Sequence, residues 1–223
     1  ENHLDKNNQL VKAYLSFSHE TDDVSEYVIQ NEIYNSLEPQ NSTEAFEDNN
    51  NLTVSIDYKN KFKDDFDFEI GSKTTIRNFK TDLSYLNTKY TNDYSENIYA
   101  AYLDINYDFS KPIGLKFGFR SEQVNTIAKL SGISSPDSSN IITSIIDSAI
   151  VQSPYNNPYF KIYPNFSLFY KMNTNQTFQL GYSKKVNRPE RGTLSPFPKS
   201  TQDISRLRNG NPYLKPEHSD LIE

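Results

Sequence analysis

Apolar residues recur at every second position over most of this chain. Val11, Ala13, Leu15 and Phe17 are separated by Lys12, Tyr14 and Ser16. Leu52, Val54, Ile56 and Tyr58 alternate with Thr53, Ser55, Asp57 and Lys59. Phe66, Phe68 and Ile70 alternate with Asp67 and Glu69, and Tyr99, Ala101, Leu103, Ile105, Tyr107 and Phe109 with Ala100, Tyr102, Asp104, Asn106 and Asp108. The same rhythm covers Leu115 to Phe119, Phe160 to Tyr170 and Phe178 to Tyr182, with a weaker run from Glu26 to Asn35. A period of two belongs to a strand with two unlike faces. The pattern predicts an all-β, antiparallel chain of about eight or nine strands. Several runs reach ten residues, whereas ordinary strands centre on about five or six. Strands that cross a bilayer need roughly 9–11 tilted residues.

The connections predicted between these runs alternate in length. Lys63 to Asp65, Ser110 to Gly114 and Asn173 to Gln176 are short, and Glu20 to Ser25 takes the short side by parity. Ser36 to Asn50, Phe79 to Asp93, Leu130 to Pro158 and Asn187 to Ser219 are long. Outer-membrane barrels alternate in this way between tight periplasmic turns and long extracellular loops. A soluble β-sandwich also alternates apolar and polar residues, with its apolar side turned inward. From the pattern alone both architectures stand. Tyr58, Tyr107, Phe109 and Tyr170, near strand ends, suit either an interfacial girdle or a core. One stretch breaks the rhythm. Ile141, Ile142, Ile145, Ile146, Ala149 and Ile150 follow helical spacing within residues 139–151. They suit a loop helix packed on neighbouring loops, a docking surface for a partner such as a surface lipoprotein, or, being β-branched, a hairpin extension.

Composition narrows the function. The 223 residues hold 35% hydrophobic residues, no Cys and no Trp, but 16 Tyr and 14 Phe, with a net charge of −6. This many aromatics opposes disorder. Without Cys there is no disulfide scaffold and no thiolate chemistry. The acidic balance argues against a nucleic-acid partner. No apolar run is long enough for a membrane-spanning helix, and any secretory leader is expected outside this stretch. His3, His19 and His218 have no ligand-like spacing, and HExxH, GxSxG and the glycine-rich phosphate loops do not occur. Neither catalysis nor a cofactor is expected. Asp64 and Asp65 read as turn residues. Lys184, Lys185, Arg188 and Arg191, with Asp203, read as a solvated strand end before an anion contact.

The most specific stretches lie toward the C-terminus: Tyr163-Pro164-Asn165, Tyr182 to Pro189 (YSKKVNRP), Leu194 to Phe197 (LSPF) and Gly210 to Glu217 (GNPYLKPE). Upstream come the hairpin Leu52 to Gly71, the run Ile98 to Ala101, and Gly118-Phe119-Arg120-Ser121-Glu122. From about residue 52 onward the chain resembles the outer-membrane β-barrel segment of TonB-dependent receptors of the Bacteroidota type. Residues 1–51 fit by pattern alone. The family motif carries over to Arg188, Pro189, Gly210, Asn211, Pro212, Leu214, Lys215, Pro216 and Glu217, in a structural role. The prolines impose extended residues before them and remove backbone donors. Gly210 can supply a positive φ, Arg188-Pro189 ends a strand at Asn187, and the next strand is expected near Ser219.

The resemblance implies a transmembrane antiparallel barrel in a bacterial outer membrane that takes up a scarce nutrient, driven by TonB. Residues 1–223 are then part of one barrel domain. Plug, TonB box and the remaining strands of a barrel of about 22 are expected outside the stretch. Alternating apolar residues would face lipid. Asp57, Lys59, Asp104, Lys116, Arg120, Glu122 and Lys161 would face the lumen, as would Lys12, Asp67, Glu69 and Lys171. The alternatives are a soluble or surface-displayed β-sandwich that binds a ligand or cell surface, and a receptor-like barrel within an assembly or secretion complex.

Overall fold

The computed structural model describes residues 9–27, 42–85, 88–110, 112–132, 150, 153–173, 175–194, 199–200, 207–208, 210–211 and 213–223. They form one nine-stranded antiparallel sheet and a separate two-stranded ladder. The long strands are β1 (Gln9–Tyr27), β2 (Ser42–Lys63), β3 (Phe66–Tyr85), β4 (Thr88–Ser110) and β5 (Ile113–Gly132). After them come β6 (Tyr155–Asn156), β7 (Tyr159–Asn173) and β8 (Gln176–Asn187), then the small pair β9 (Lys199–Ser200) and β10 (Leu207–Arg208), and finally β11 (Glu217–Ile222). Neighbours follow chain order, β1-β2-β3-β4-β5-β7-β8-β11, and β6 adds to the upper part of β5. The sheet is open, with β1 and β11 at its edges.

The three short connections fall where alternation predicts them. Asp64-Asp65 joins β2 to β3, residues 111–112 join β4 to β5, and residues 174–175 join β7 to β8. All three lie at one end of the sheet, called here the lower end. Two expected connections are instead strand. β1 runs unbroken through Glu20 to Ser25, paired with Asn49 to Glu44 of β2. β3 and β4 continue through Phe79 to Asp93, and only residues 86–87 separate them. Likewise β2 already begins at Ser42, inside the expected loop 36–50. Residues 28–35 of the weaker candidate run lie outside the described residues.

Register puts the alternating residues of all strands on two continuous faces. One row reads Leu15, Val54, Thr74, Tyr99, Gln123 and Phe160, and another Tyr58, Ile70, Leu103 and Phe119. This is the apolar face. Among the large exposed hydrophobics of the long strands, all but Tyr14 lie on it, including Leu15 at 72%, Phe17 at 66% and Leu180 at 58% exposure. Every buried residue of the strands belongs to the other parity, from Asn49, Thr75 and Phe79 to Glu96, Glu122, Val124 and Tyr163. An unlayered flat sheet would leave both faces equally open. Burial confined to one parity means that the sheet curls toward that face, where side chains of adjacent strands screen one another.

The apolar residues change face along the strands. In the lower half they stand on the convex apolar face. Above the level of Tyr99 and Gln123 that face is mainly polar, with Asn78, Lys80, Asp82, Asp93, Asn97 and Asn125, though Phe46, Ile76 and Ile127 remain on it. The concave face there takes up Phe79, Leu83, Tyr90, Ile98, Val124, Ala128 and Leu130, all buried. Leu83, Tyr90 and Leu130 form a small core that also holds Ala45 and Ile150. Ile150 is the one described residue of the helical stretch, and the rest of 139–151 lies outside the described residues. At the lower end, rings of the apolar parity meet edge to face: Tyr58 on Phe68 at 5.9 Å, Phe66 on Tyr107 at 6.2 Å and Tyr107 on Phe109 at 4.7 Å.

Glycine lets side chains cross the concave face. The Tyr102 ring lies over Gly71 and its hydroxyl donates to the Asp57 carboxylate two strands away. A Cβ at residue 71 would meet ring carbons at 2.6 Å. The Gly71→Leu variant is expected to displace Tyr102 and to lose about 1–3 kcal/mol, read as a lower urea midpoint of the folded protein in detergent.

Candidate functional site

The concave face carries the polar chemistry of the chain. Each residue expected to face a lumen (Lys12, Asp57, Lys59, Asp67, Glu69, Asp104, Lys116, Arg120, Glu122, Lys161 and Lys171) has the parity of this face. Several of them are held in mixed-charge pairs and hydrogen bonds. Lys59 is 3.8 Å from Asp67, and Asn106 donates to Asp67 at 2.7 Å.

The tightest cluster is built around Glu122, whose side chain is only 4% exposed. Residues two apart on a strand share a face, so Arg120 and Glu122 of β5 stand side by side. Arg120 donates through Nε to Glu122 Oε1 at 2.6 Å. From beyond the end of β8, Arg188 donates through Nη2 to Glu122 Oε2. The carboxylate thus has both oxygens engaged by charged donors. Removing it from water without partners would cost several kcal/mol. Burial pulls the Arg188 pKa down, but Glu122 and Tyr159 outweigh it and hold that pKa above its ordinary value. Arg120 also lies over the Tyr102 ring, 5.6 Å from its centroid. The chain of contacts therefore runs from Asp57 on β2 through Tyr102, Arg120 and Glu122 to Arg188. Tyr163, opposite Arg120 in register, stacks 5.9 Å from His218 of β11.

The cluster explains where part of the C-terminal motif goes. Arg188 leaves β8 and folds onto β5, which anchors the start of the 188–216 connection. A helical turn, Arg191–Leu194, follows. The backbone N–H of Asn211 donates to Thr193 at 2.7 Å, and the Asn211 side chain accepts from Tyr213 N–H at 2.9 Å. Gly210 does not take a positive φ, since no described glycine does. The bend comes from the asparagine side chain binding its own backbone two residues on. Tyr213 packs edge to face on Tyr155 of β6 at 4.8 Å. The two long connections are thereby joined over the upper part of β5. Leu214 and Lys215 are exposed and Pro216 is half-buried. Glu217 already pairs with Asn187, so β11 begins two residues earlier than the sequence suggests. Pro212 lies outside the described residues. β8 ends at Asn187, just before Arg188-Pro189, as expected.

Of the cation group Lys184, Lys185, Arg188 and Arg191, the contacts divide. Lys184 pairs with Asp220 at 3.3 Å on the outside of the β8–β11 edge, and Arg188 turns to Glu122. Tyr102, Tyr159 and Tyr163 were not legible as site residues, because only strand register brings them beside the Arg120-x-Glu122 pair. Among the described residues no three His, Asp or Glu side chains gather as a metal site, and no helix is long and apolar enough to cross a membrane.

A family model described as the outer membrane protein beta-barrel family matches residues 2–223. The chain belongs to that family. Its place is the bacterial outer membrane, and its sheet is part of a transmembrane barrel wall, open as seen here. No curated protein matches the chain. The soluble sandwich is set aside. The family is one of outer-membrane barrels, in which the apolar face meets lipid.

Arg188→Ala leaves Glu122 with one charged partner and frees the connection that follows β8. The expected loss is about 3 kcal/mol, the low end for removing one partner of a buried pair. A urea melt in detergent measures it, and limited trypsin digestion should cut within 188–216 sooner than in the parent.

Proposed function

We propose that this barrel is the wall of a TonB-dependent receptor that takes up a scarce nutrient, a transporter and not an enzyme. Residues 1–223 form part of its single barrel domain, with the apolar face toward lipid and the concave face toward a water-filled lumen. The observation that carries the reading is the change of face. On strands tilted by about 40°, the eight residue steps from Tyr107 to Tyr99 rise roughly 20 Å, close to the apolar band of about 25 Å typical of such barrels. Below that level apolar side chains point outward, and above it most point inward, with Phe46, Ile76 and Ile127 still on the outer face, as a wall leaving lipid for water requires. The aromatic contacts at the lower end suit one interface of that band. Long strands then rise beyond the membrane: 20 residues at about 3.3 Å each are roughly twice what the band needs. The motif pair Arg188-Pro189 and Gly210 to Glu217 supports the receptor class by resemblance.

Two measurements test the reading. A charge at mid-band on the apolar side, Leu103→Arg, should cost about 2–4 kcal/mol, whereas Asp104→Asn beside it should change the urea midpoint by well under half as much. Equal effects would overturn the lipid-facing assignment. For transport, deletion of the gene should impair growth on a limiting nutrient to the same degree as loss of TonB, without additive effect. Unchanged growth on every limiting nutrient, together with co-purification of outer-membrane lipoproteins, would point instead to an assembly or secretion complex.

A further inference from the structure

The Glu122 cluster has more donors and more positive charge than its carboxylate can match. Arg188 Nε and the Tyr163 hydroxyl are buried without a hydrogen-bond partner, and Tyr163 is 6% exposed. The two guanidinium groups share a single carboxylate whose two oxygens are already engaged, and Arg188 also faces the Tyr159 hydroxyl. Register adds two lysines to the same row. Lys161 stands directly opposite Glu122, and Lys73 lies on its other side with Ala100 between. At about 4.8 Å per strand these lysines stand roughly 5 and 10 Å from Glu122. Both are exposed, and among the described residues neither forms an ion pair. The nearest carboxylates are committed elsewhere: Asp57 to Tyr102, and Glu96 to Arg77 at 3.0 Å. Lys73, Arg120, Lys161 and Arg188 against Glu122 and Asp57 leave a local surplus of two positive charges. Buried donors without acceptors in a positive field favour an oxyanion.

We propose that the concave face between Lys73, Arg120, Lys161 and Arg188 is a binding seat for a small oxyanion, a carboxylate or phosphate group of the solute that enters the barrel. This rests on the reading of that face as a lumen wall. Glu122 is the resident counter-ion of the seat. An arriving anion takes the exposed sides of Arg120 and Lys161 and competes with Glu122 for guanidinium donors. No bond is made or broken in the exchange.

The test uses the protein purified from outer membranes in detergent, its fold checked by a gel mobility that shifts on boiling. Inorganic phosphate is titrated calorimetrically at low ionic strength. Saturable binding is expected, weakened at least tenfold in Lys161→Glu and in Lys73→Glu, two exposed positions whose change breaks no pair. Glu122→Gln, which keeps the shape and an acceptor but removes the competing charge, should tighten phosphate binding. A purely structural cluster would show a stability loss there and no gain in affinity. Folded protein that gives no saturable heat up to tens of millimolar phosphate, or lysine variants that bind like the parent, would overturn the seat while leaving the barrel reading intact. Protein without heat-modifiable mobility would overturn the barrel reading, and the seat with it.

Discussion

Strand register is the constraint on which the other features depend. Side chains alternate with a period of two, so a slip of one residue would carry Leu103 and Phe119 to the concave face and Asp104 and Arg120 to the convex one. The ladder has irregularities between Lys61 and Lys63, Asp108 and Ser110, and Lys171 and Asn173. Each lies beside a short turn. Bulges there absorb the geometry of the turn without passing a shift into the strands above. From those turns upward β2 to β5 stay paired without slip for about 20 residues, which lets the row from Asp57 to Tyr163 line up across the wall.

Within that frame Glu122 fixes how the chain closes over β7 and β8. Pairing of β7 with β8 stops at Asn165 and Ser183, although both strands continue upward. Above that point the ladder no longer links them. The Arg188–Glu122 pair reaches across the same region from the end of β8 to β5, and β11 covers the far side of β8. A charged contact is a costly way to bridge a gap, because each ion must leave water. It also has a definite geometry: two oxygens and two guanidinium groups admit few arrangements, and so it positions the start of the 188–216 connection.

The lower half of the fold is legible in the sequence because one face meets a single kind of surroundings there. Leu52 to Tyr58 and Tyr99 to Phe109 keep strict alternation, and their strands, turns and face assignments follow from it. The upper half is not legible by the same rule. Around Phe79, Leu83 and Tyr90 the apolar residues have moved to the other parity and are diluted by Asn, Asp and Thr. A search for alternation in one phase ends there and reads loop where β3 and β4 continue. Glu20 to Ser25 misleads because it is polar apart from Val24, yet it is paired throughout. For the site, Gly118 to Glu122 and Arg188-Pro189 are visible separately as motifs. Nothing in either indicates that the arginine of one meets the glutamate of the other, since the contact spans 66 residues. Tyr163 beside Arg120 depends on the β5–β7 register, which no local pattern encodes.

The same change of phase accounts for the low mean hydropathy of −0.75 in a protein of the outer membrane. A helix that crosses lipid must be apolar all round, but a barrel strand needs apolar residues only on alternate positions and only across the band. Here the strands continue well above the point where Tyr99 and Gln123 close the apolar face. In that upper wall the outer face is mainly polar, and burial on the inside by Tyr90, Val124, Ala128 and Leu130 is the reason for alternation. Glu122 lies immediately below Val124 on the same face, at the level where one regime gives way to the other. A buried ion pair there needs neither lipid outside nor an apolar core inside, and so it can hold the wall together where neither source of apolar stabilisation is complete.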